Sequence, residues 1–251
     1  MNIAVISGAS SGMGREFVLQ LDKTGLDEIW VIARHADKLE ELKPLVPCPV
    51  RVLALDLSKE ESIDAYRALL EEEKPRVRIL VNASGFGKFG TFTDMSLEDL
   101  SGMVDLNSRS LMAMTYVTLP YMSQGDCIYQ LGSLSSFQPV PYIAVYGATK
   151  AFVVSFSRAI GKELRGRGIR VMAVCPGWVK TAFFDRAVYD DTITYYNRYF
   201  TPEEVVARAI RDMKKGKEIS ICGWTVRNQV RLTKLLPHSL VMKIWCKQQK
   251  K

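Results

Sequence analysis

The sequence predicts an α/β chain: a single domain on a doubly wound, mainly parallel sheet of seven strands. Three observations carry this. Short apolar runs alternate with helical patterns along the chain. The first run passes through a glycine turn, Gly8-Ala-Ser-Ser-Gly12-Met-Gly14, into the helical pattern Phe17, Val18, Leu21. No internal repeat or low-complexity linker breaks the alternation, and 251 residues are enough for one domain with a sizeable core.

In order, the first strand is Asn2–Ser7 and the glycine turn follows it. Glycines let the backbone approach a pyrophosphate, and the helix N-terminus behind them favours its negative charge. The second strand spans Glu28–Ala33. A site for NAD usually ends this strand with a carboxylate for the ribose hydroxyls. Here Ala33 stands in that place, and Arg34 beside it offers a planar guanidinium suited to a ribose 2′-phosphate. The pattern points to NADP(H), with Ser11, His35 and Lys38 as possible helpers. Val50–Leu55 is a third strand ending in Asp56-Leu57, followed by a charged amphipathic helix over 60–73. Arg78–Val81 is a fourth strand running into Asn82-Ala83-Ser84-Gly85. Ser96–Met122 reads as a long helix that opens on Ser96 and Asp99, three apart as in a capping box. Asn107 lies inside it, a mediocre residue for a helix interior.

Cys127–Gly132 is the fifth strand, and it delivers Ser133 to its end. A Pro-containing loop follows, then a helix over Tyr146–Arg165. Tyr146 and Lys150 are four apart, on one helix face. A free phenol titrates at about 10, so it is a poor acid or base near neutrality. A nearby ammonium favours the phenolate; moving the phenol to near pH 7 corresponds to about 4 kcal/mol. That would suit a general acid/base. Ser133 can hold a carbonyl or alcohol oxygen at the same point.

The glycine turn, with the serine thirteen residues upstream of a Tyr-x-x-x-Lys pair, resembles the short-chain dehydrogenase/reductase family over Ile3 to about Cys222. The resemblance implies a Rossmann-like fold and a catalytic set of Ser133, Tyr146, Lys150 and Asn107. In it, Asn107 distorts its helix and holds a water that links the lysine to solvent. It implies cofactor contacts from Gly8, Ser10, Ser11, Gly12, Met13 and Gly14, from Asp56 and Leu57 at the adenine, and from Asn82, Ala83, Ser84 and Gly85. Tyr146 and Lys150 would also meet the nicotinamide ribose. Ile169–Cys175 is a sixth strand, and the Pro176-Gly177 segment with Val179 and Thr181 resembles the family's nicotinamide-binding loop. Two departures stand out: Ser7 replaces a usual threonine, and Ala83-Ser84 replaces Asn-Ala, so the missing asparagine's bonds must come from elsewhere. The family often assembles as a homodimer or homotetramer, here through helices 96–122 and 146–165.

Segment 177–200 is the variable substrate loop, rich in aromatics: Trp178, Phe183, Phe184, Tyr189, Tyr195, Tyr196, Tyr199 and Phe200. Such density suggests a lid over a bulky apolar ligand, with about half of these rings anchoring the loop instead. Phe86, Leu134 and Tyr142 are expected substrate contacts beside Trp178, Phe183 and Phe184, and Phe89 and Phe137 can line the other side. Thr201-Pro202-Glu203-Glu204 starts a helix, and Glu218–Cys222 is the seventh strand. Together 1–225 form the catalytic domain.

The remaining stretch, 226–251, is a basic amphipathic tail split by Pro237, with apolar Val230, Leu232, Leu235, Leu236, Leu240, Val241, Ile244 and Trp245 among Arg227, Arg231, Lys234 and Lys243. It can pack over the substrate cleft, against another subunit, or on an anionic membrane surface. The net charge of +7 fits a multiply anionic cofactor and is not organised as a nucleic-acid-binding face. Five cysteines without paired spacing fit a reducing, cytoplasmic location, and two histidines make a zinc mechanism an unattractive reading. No apolar run approaches bilayer-spanning length. The expected activity is NADP(H)-dependent interconversion of a ketone and a secondary alcohol on a bulky, hydrophobic, steroid-like or acyl-chain substrate. A non-catalytic dinucleotide sensor and a membrane-surface protein are the alternatives.

Overall fold

The computed structural model describes residues 1–21, 25–188, 192–196 and 198–251. The chain runs β1 (Asn2–Ser7), α1 (Gly12–Leu21), β2 (Glu28–Ala33), α2 (Ala36–Glu40), β3 (Val50–Ala54), α3 (Glu60–Glu73) and β4 (Arg76–Asn82). It continues with α4 (Leu97–Val104), α5 (Ser110–Thr118), β5 (Cys127–Leu131), α6 (Ala144–Glu163) and β6 (Arg170–Val174). Then come β7 (Trp178–Val179), α7 (Phe183–Ala187), β8 (Tyr199–Phe200), α8 (Pro202–Lys214), β9 (Ile219–Ser220), α9 (Trp224–Thr233) and α10 (His238–Gln248).

The seven-stranded sheet has the order β3-β2-β1-β4-β5-β6-β9, every pair parallel. Its strands are apolar almost throughout because both faces are covered. Alternate residues go to opposite layers. Ala4, Ile6, Ile29, Val31 and Val81 pack with Phe17 of α1 and Val206 of α8. Ile3, Val5, Trp30, Ile32 and Leu80 pack with Tyr66 of α3 and Met114 of α5. Strand order reverses between β1 and β4, which opens a crevice at the strands' C-terminal ends.

Three features differ from the sequence reading. The expected 96–122 helix is interrupted by a π turn at Asp105–Arg109 and ends in a 3-10 turn at Leu119–Tyr121. The seventh strand is only Ile219–Ser220, an edge that pairs with Ala173 and Val174. The variable loop is clasped by a two-stranded sheet, Trp178 with Tyr199 and Val179 with Phe200. The tail's first helix begins at Trp224, and Pro237 stands at the N-cap of α10.

Candidate active site

The cleft over the strand ends has a volume of about 670 Å³. At one end lies the glycine turn. A Cβ on Gly14 would meet the Gly8 carbonyl oxygen at 2.2 Å, and one on Gly8 would meet the Ala83 carbonyl at 2.7 Å. The turn and the β4 loop therefore pack with no room for side chains. Gly8, Ser11, Gly12, Met13 and Gly14 line the cleft; Ser10 does not. Gly12, at φ +52°, faces Thr181 across it, where a Cβ would come to 3.0 Å from Thr181 Cγ2. The bare backbone there leaves the cradle that a dinucleotide pyrophosphate needs at a helix start.

Arg34, Asp56 and Leu57 continue the wall, with Ala33 and Leu55. Burial works against the charge of Asp56, but bonds from the Ser58 N–H (3.1 Å) and Oγ (2.7 Å), with Arg34 nearby, hold its carboxyl below the usual range. Ala83, Ser84 and Gly85 line the next stretch. Ser7 ties this loop to β1: its Oγ accepts from Ala83 N at 3.1 Å and Ser84 N at 3.2 Å. Asn82 lies behind the wall. Its Nδ2 donates to Gln130 Oε1 (2.9 Å) and Thr115 Oγ1 (3.1 Å), so its side chain is directed at α5 and β5 rather than at the cleft.

Ser133, Tyr146 and Lys150 meet at the centre of the cleft. Ser133 caps a 3-10 turn, accepting from Ser135 N at 3.2 Å, and its hydroxyl stands near enough to the Tyr146 phenol to favour the phenolate. Lys150, buried, donates to the Leu131 carbonyl at 2.7 Å, and its Nζ lies 5.7 Å from the centre of the Tyr146 ring. One expectation is corrected here. Burial pushes the Tyr146 phenol up to about 12, Ser133 opposing and the Cys175 thiol adding to the rise; no lowering by Lys150 emerges. Burial instead draws the Lys150 ammonium down to about 8.

Asn107 sits in the π turn, fully buried. Its Oδ1 accepts from Phe86 N (2.9 Å), and its Nδ2 donates to Phe86 O (2.8 Å) and Thr149 Oγ1 (3.1 Å). Both amide hydrogens are thus engaged. A relay water would be held by the remaining Oδ1 lone pair or the main-chain carbonyl. A Cβ on Gly85 would meet Asn107 Oδ1 at 2.8 Å and Lys150 Nζ at 3.4 Å, so the loop can pass between them only as glycine.

Beyond Tyr146 the cleft widens into an apolar chamber. Phe183 packs 5.6 Å from Tyr146, centre to centre, and rings continue through Phe184 and Trp178. Phe86, Leu134, Trp178, Phe183 and Phe184 line the cleft as expected from the sequence, with Phe89 and Tyr195. Tyr142 does not: it takes φ +69° and packs behind, its carbonyl accepting from Gly90 N. Tyr196, Tyr199 and Phe200 serve as loop anchors; Tyr189 lies outside the described residues. Pro176, Gly177, Val179 and Thr181 line the opposite wall.

Two contributions were missed in the sequence. Gly87 is one: a Cβ there would meet Phe183 Cζ at 2.8 Å and Tyr146 Cδ2 at 3.0 Å. Its signal was the repeated glycine in Gly85-Phe-Gly87-Lys-Phe-Gly90. The other is how far the tail enters the site: Leu232, Leu236, Val241, Ile244 and Trp245 all line the chamber. Trp245 Nε1 donates to Pro141 O at 3.0 Å.

A glycine cradle at the strand-order switch, continuous with a Ser–Tyr–Lys cluster, defines an oxidoreductase fold built for a nicotinamide dinucleotide. The family model for short chain dehydrogenase matches residues 2–191, and the chain belongs to that family, whose members act on alcohol and carbonyl groups. It is 35% identical to a sulfoacetaldehyde reductase of Chromohalobacter salexigens over 186 residues, 71% of this chain and 72% of that one. An uncharacterized oxidoreductase of Staphylococcus epidermidis is 32% identical over 182 residues, 71% of this chain and 78% of its own length. A short-chain dehydrogenase from Sphingobium yanoikuyae, solved with NADPH, superposes with a TM-score of 0.79 at 28% identity, covering 88% of this chain and 87% of that one.

Proposed function

We propose that the chain interconverts a ketone and a secondary alcohol with NADP(H), on a bulky hydrophobic substrate. One observation carries the reading: a single cleft runs from the glycine turn past Arg34 to Tyr146, then opens into a chamber walled by aromatic and aliphatic side chains. Among the described residues that line the cleft, Arg34 and Lys150 are the only Arg or Lys, and they belong to the cofactor end and the catalytic centre. The sulfoacetaldehyde reductase relative is named for a small anionic substrate, which would call for a cation at the substrate end. The described residues of the chamber offer apolar surface in its place.

The bound dinucleotide supplies or takes up the hydride. Ser133 holds the carbonyl oxygen. Tyr146 donates its phenolic proton to that oxygen during reduction and takes it back during oxidation. Lys150, fixed on the Leu131 carbonyl, keeps a positive charge near the phenol and reaches the nicotinamide ribose. Asn107 fixes the loop at Phe86 beside both. The Gly8–Gly14 turn, Asp56, Leu57, the 83–85 loop, and Val179 with Thr181 seat the rest of the dinucleotide. Exposed Leu97, Tyr116 and Phe152 support homo-oligomer assembly through the 96–122 and 146–165 helices.

Fluorescence titration with NADPH and NADH, on wild type and Arg34→Ala, tests the cofactor half. A charged hydrogen bond contributes about 1.5–3 kcal/mol, so the wild type should favour NADPH roughly tenfold or more. That gap should collapse in the variant. Equal affinities in the wild type would remove the NADP assignment, and no binding of either would remove the enzyme reading.

A further inference from the structure

The tail carries a feature that the reaction does not use. Residues 224–251 hold seven Lys and Arg and no Asp or Glu, which equals the whole net charge of +7. The rest of the chain is charge-balanced, so the excess is not spread over the surface. None of the seven cations makes an ion pair among the described residues.

The same segment exposes large apolar side chains. Trp224 is 69% exposed and Leu235 81%, with Leu232, Leu240 and Ile244 also open to solvent. On α10, Leu240 and Ile244 lie one turn apart, beside the row of Lys243 and Lys247. At the end of α9, Arg231 and Lys234 alternate with Leu232 and Leu235. Leu232 and Ile244 are both exposed and part of the chamber wall, so the apolar face lies at the chamber's mouth.

We propose that this face docks on a lipid bilayer carrying anionic headgroups, with Trp224, Leu235 and Leu240 entering the interface and Arg231, Lys243 and Lys247 meeting the headgroups. Apolar side chains ringed by unpaired cations are the surface that such a bilayer recognises. A second copy of the chain is the poorer occupant. A two-fold interface would set the same seven cations against themselves, with no acid to answer them. Docking leaves the chamber mouth against the membrane, where an apolar ketone dissolved in lipid can enter directly. That consequence rests on the function proposed above; the docking itself does not.

The test is co-sedimentation of the full chain with vesicles of equal parts phosphatidylcholine and phosphatidylserine, and with phosphatidylcholine alone. The wild type should pellet with the anionic vesicles and be released by salt. Each basic residue near such a surface contributes about fivefold, so Arg231→Gln/Lys243→Gln/Lys247→Gln should weaken binding on the order of a hundredfold. Trp224→Gln/Leu235→Gln should weaken binding as well, with its sedimentation velocity unchanged. A wild type that stays in the supernatant overturns the proposal, as does binding indifferent to lipid charge and to both variants. Dissociation of an oligomer by Trp224→Gln/Leu235→Gln, without loss of vesicle binding, would reassign the face to contacts between copies. None of these readouts needs turnover, so they stand apart from the fate of the catalytic reading.

Discussion

The two ends of the cleft are built by different means. The cofactor end is made of main chain and small residues at the ends of β1, β2, β3 and β4, in places that the parallel sheet dictates. Its contacts are close: Gly14 against Gly8, Gly8 against Ala83, Ser7 Oγ against the Ala83 and Ser84 amides. The substrate end is made largely of side chains from four distant stretches, at Phe86–Phe89, Leu134–Ile143, Trp178–Phe184 and α9–α10. There no backbone motif sets the shape. A backbone-built site tolerates no added atom, whereas a side-chain-built site is adjusted by exchange of one ring or aliphatic group for another.

The sharpest test lies where the two ends meet. Tyr146→Phe removes the proton donor and leaves the ring, and proton transfer by a positioned side chain is worth about 10²–10⁴-fold. Turnover should fall by that much while dinucleotide affinity, read by fluorescence titration, stays near wild type. Gly14→Ala should do the reverse: its Cβ strikes the Gly8 carbonyl, and dinucleotide binding should be lost before any substrate effect appears. Loss of binding in Tyr146→Phe, or retained binding in Gly14→Ala, would break the division between the ends. Gly87→Ala should hit turnover without affecting affinity for the dinucleotide, because its Cβ presses on Tyr146 and Phe183.

The pH profile separates two accounts of Tyr146. Reduction needs the protonated phenol, and a phenol pushed up to about 12 keeps its proton through neutral and mildly alkaline pH. Reduction should therefore show no fall from this group across that range. Oxidation needs the phenolate, whose population below the pKa rises about tenfold per pH unit. Its kcat/KM should keep climbing above neutrality. A plateau near pH 7 would instead restore the strong Lys150 effect expected from the helix spacing.

Much of the cofactor end was legible in the sequence because its rules are local. A strand, a spaced glycine turn and a helix start determine one another within a few residues, and the Ser133, Tyr146 and Lys150 spacing does the same for the centre. Asn82 was misplaced because a strand-end residue points to one layer or the other, and a slip of one position reverses that. The phenol's pKa was misread because the i,i+4 spacing reports proximity and says nothing of burial, which dominates here. Tyr142 and the tail were hard to place for a third reason. Neither a left-handed turn at Tyr142 nor contacts across some hundred residues leave a periodic trace; the Trp245–Pro141 bond is one such contact.

The smallest expected effect tests how the tail is held. Gln249, 1% exposed, accepts through Oε1 from Thr194 N (2.9 Å) and Tyr195 N (3.0 Å), and Nε2 donates to the Tyr195 carbonyl (3.4 Å). One side chain thus ties the end of α10 to the variable segment, the two parts of the outer chamber wall. Gln249→Ala removes the acceptor that two part-buried amides share, a local cost of about 1 kcal/mol. The cofactor end, more than a loop away, should bind the dinucleotide as before. The wall should loosen, so KM for a bulky ketone should rise severalfold, while a small ketone that fits beside Tyr146 should show little change. Equal shifts for both ketones would mean that the tail supports the whole cleft, and the contrast between a backbone-built and a side-chain-built end would lose its substrate half.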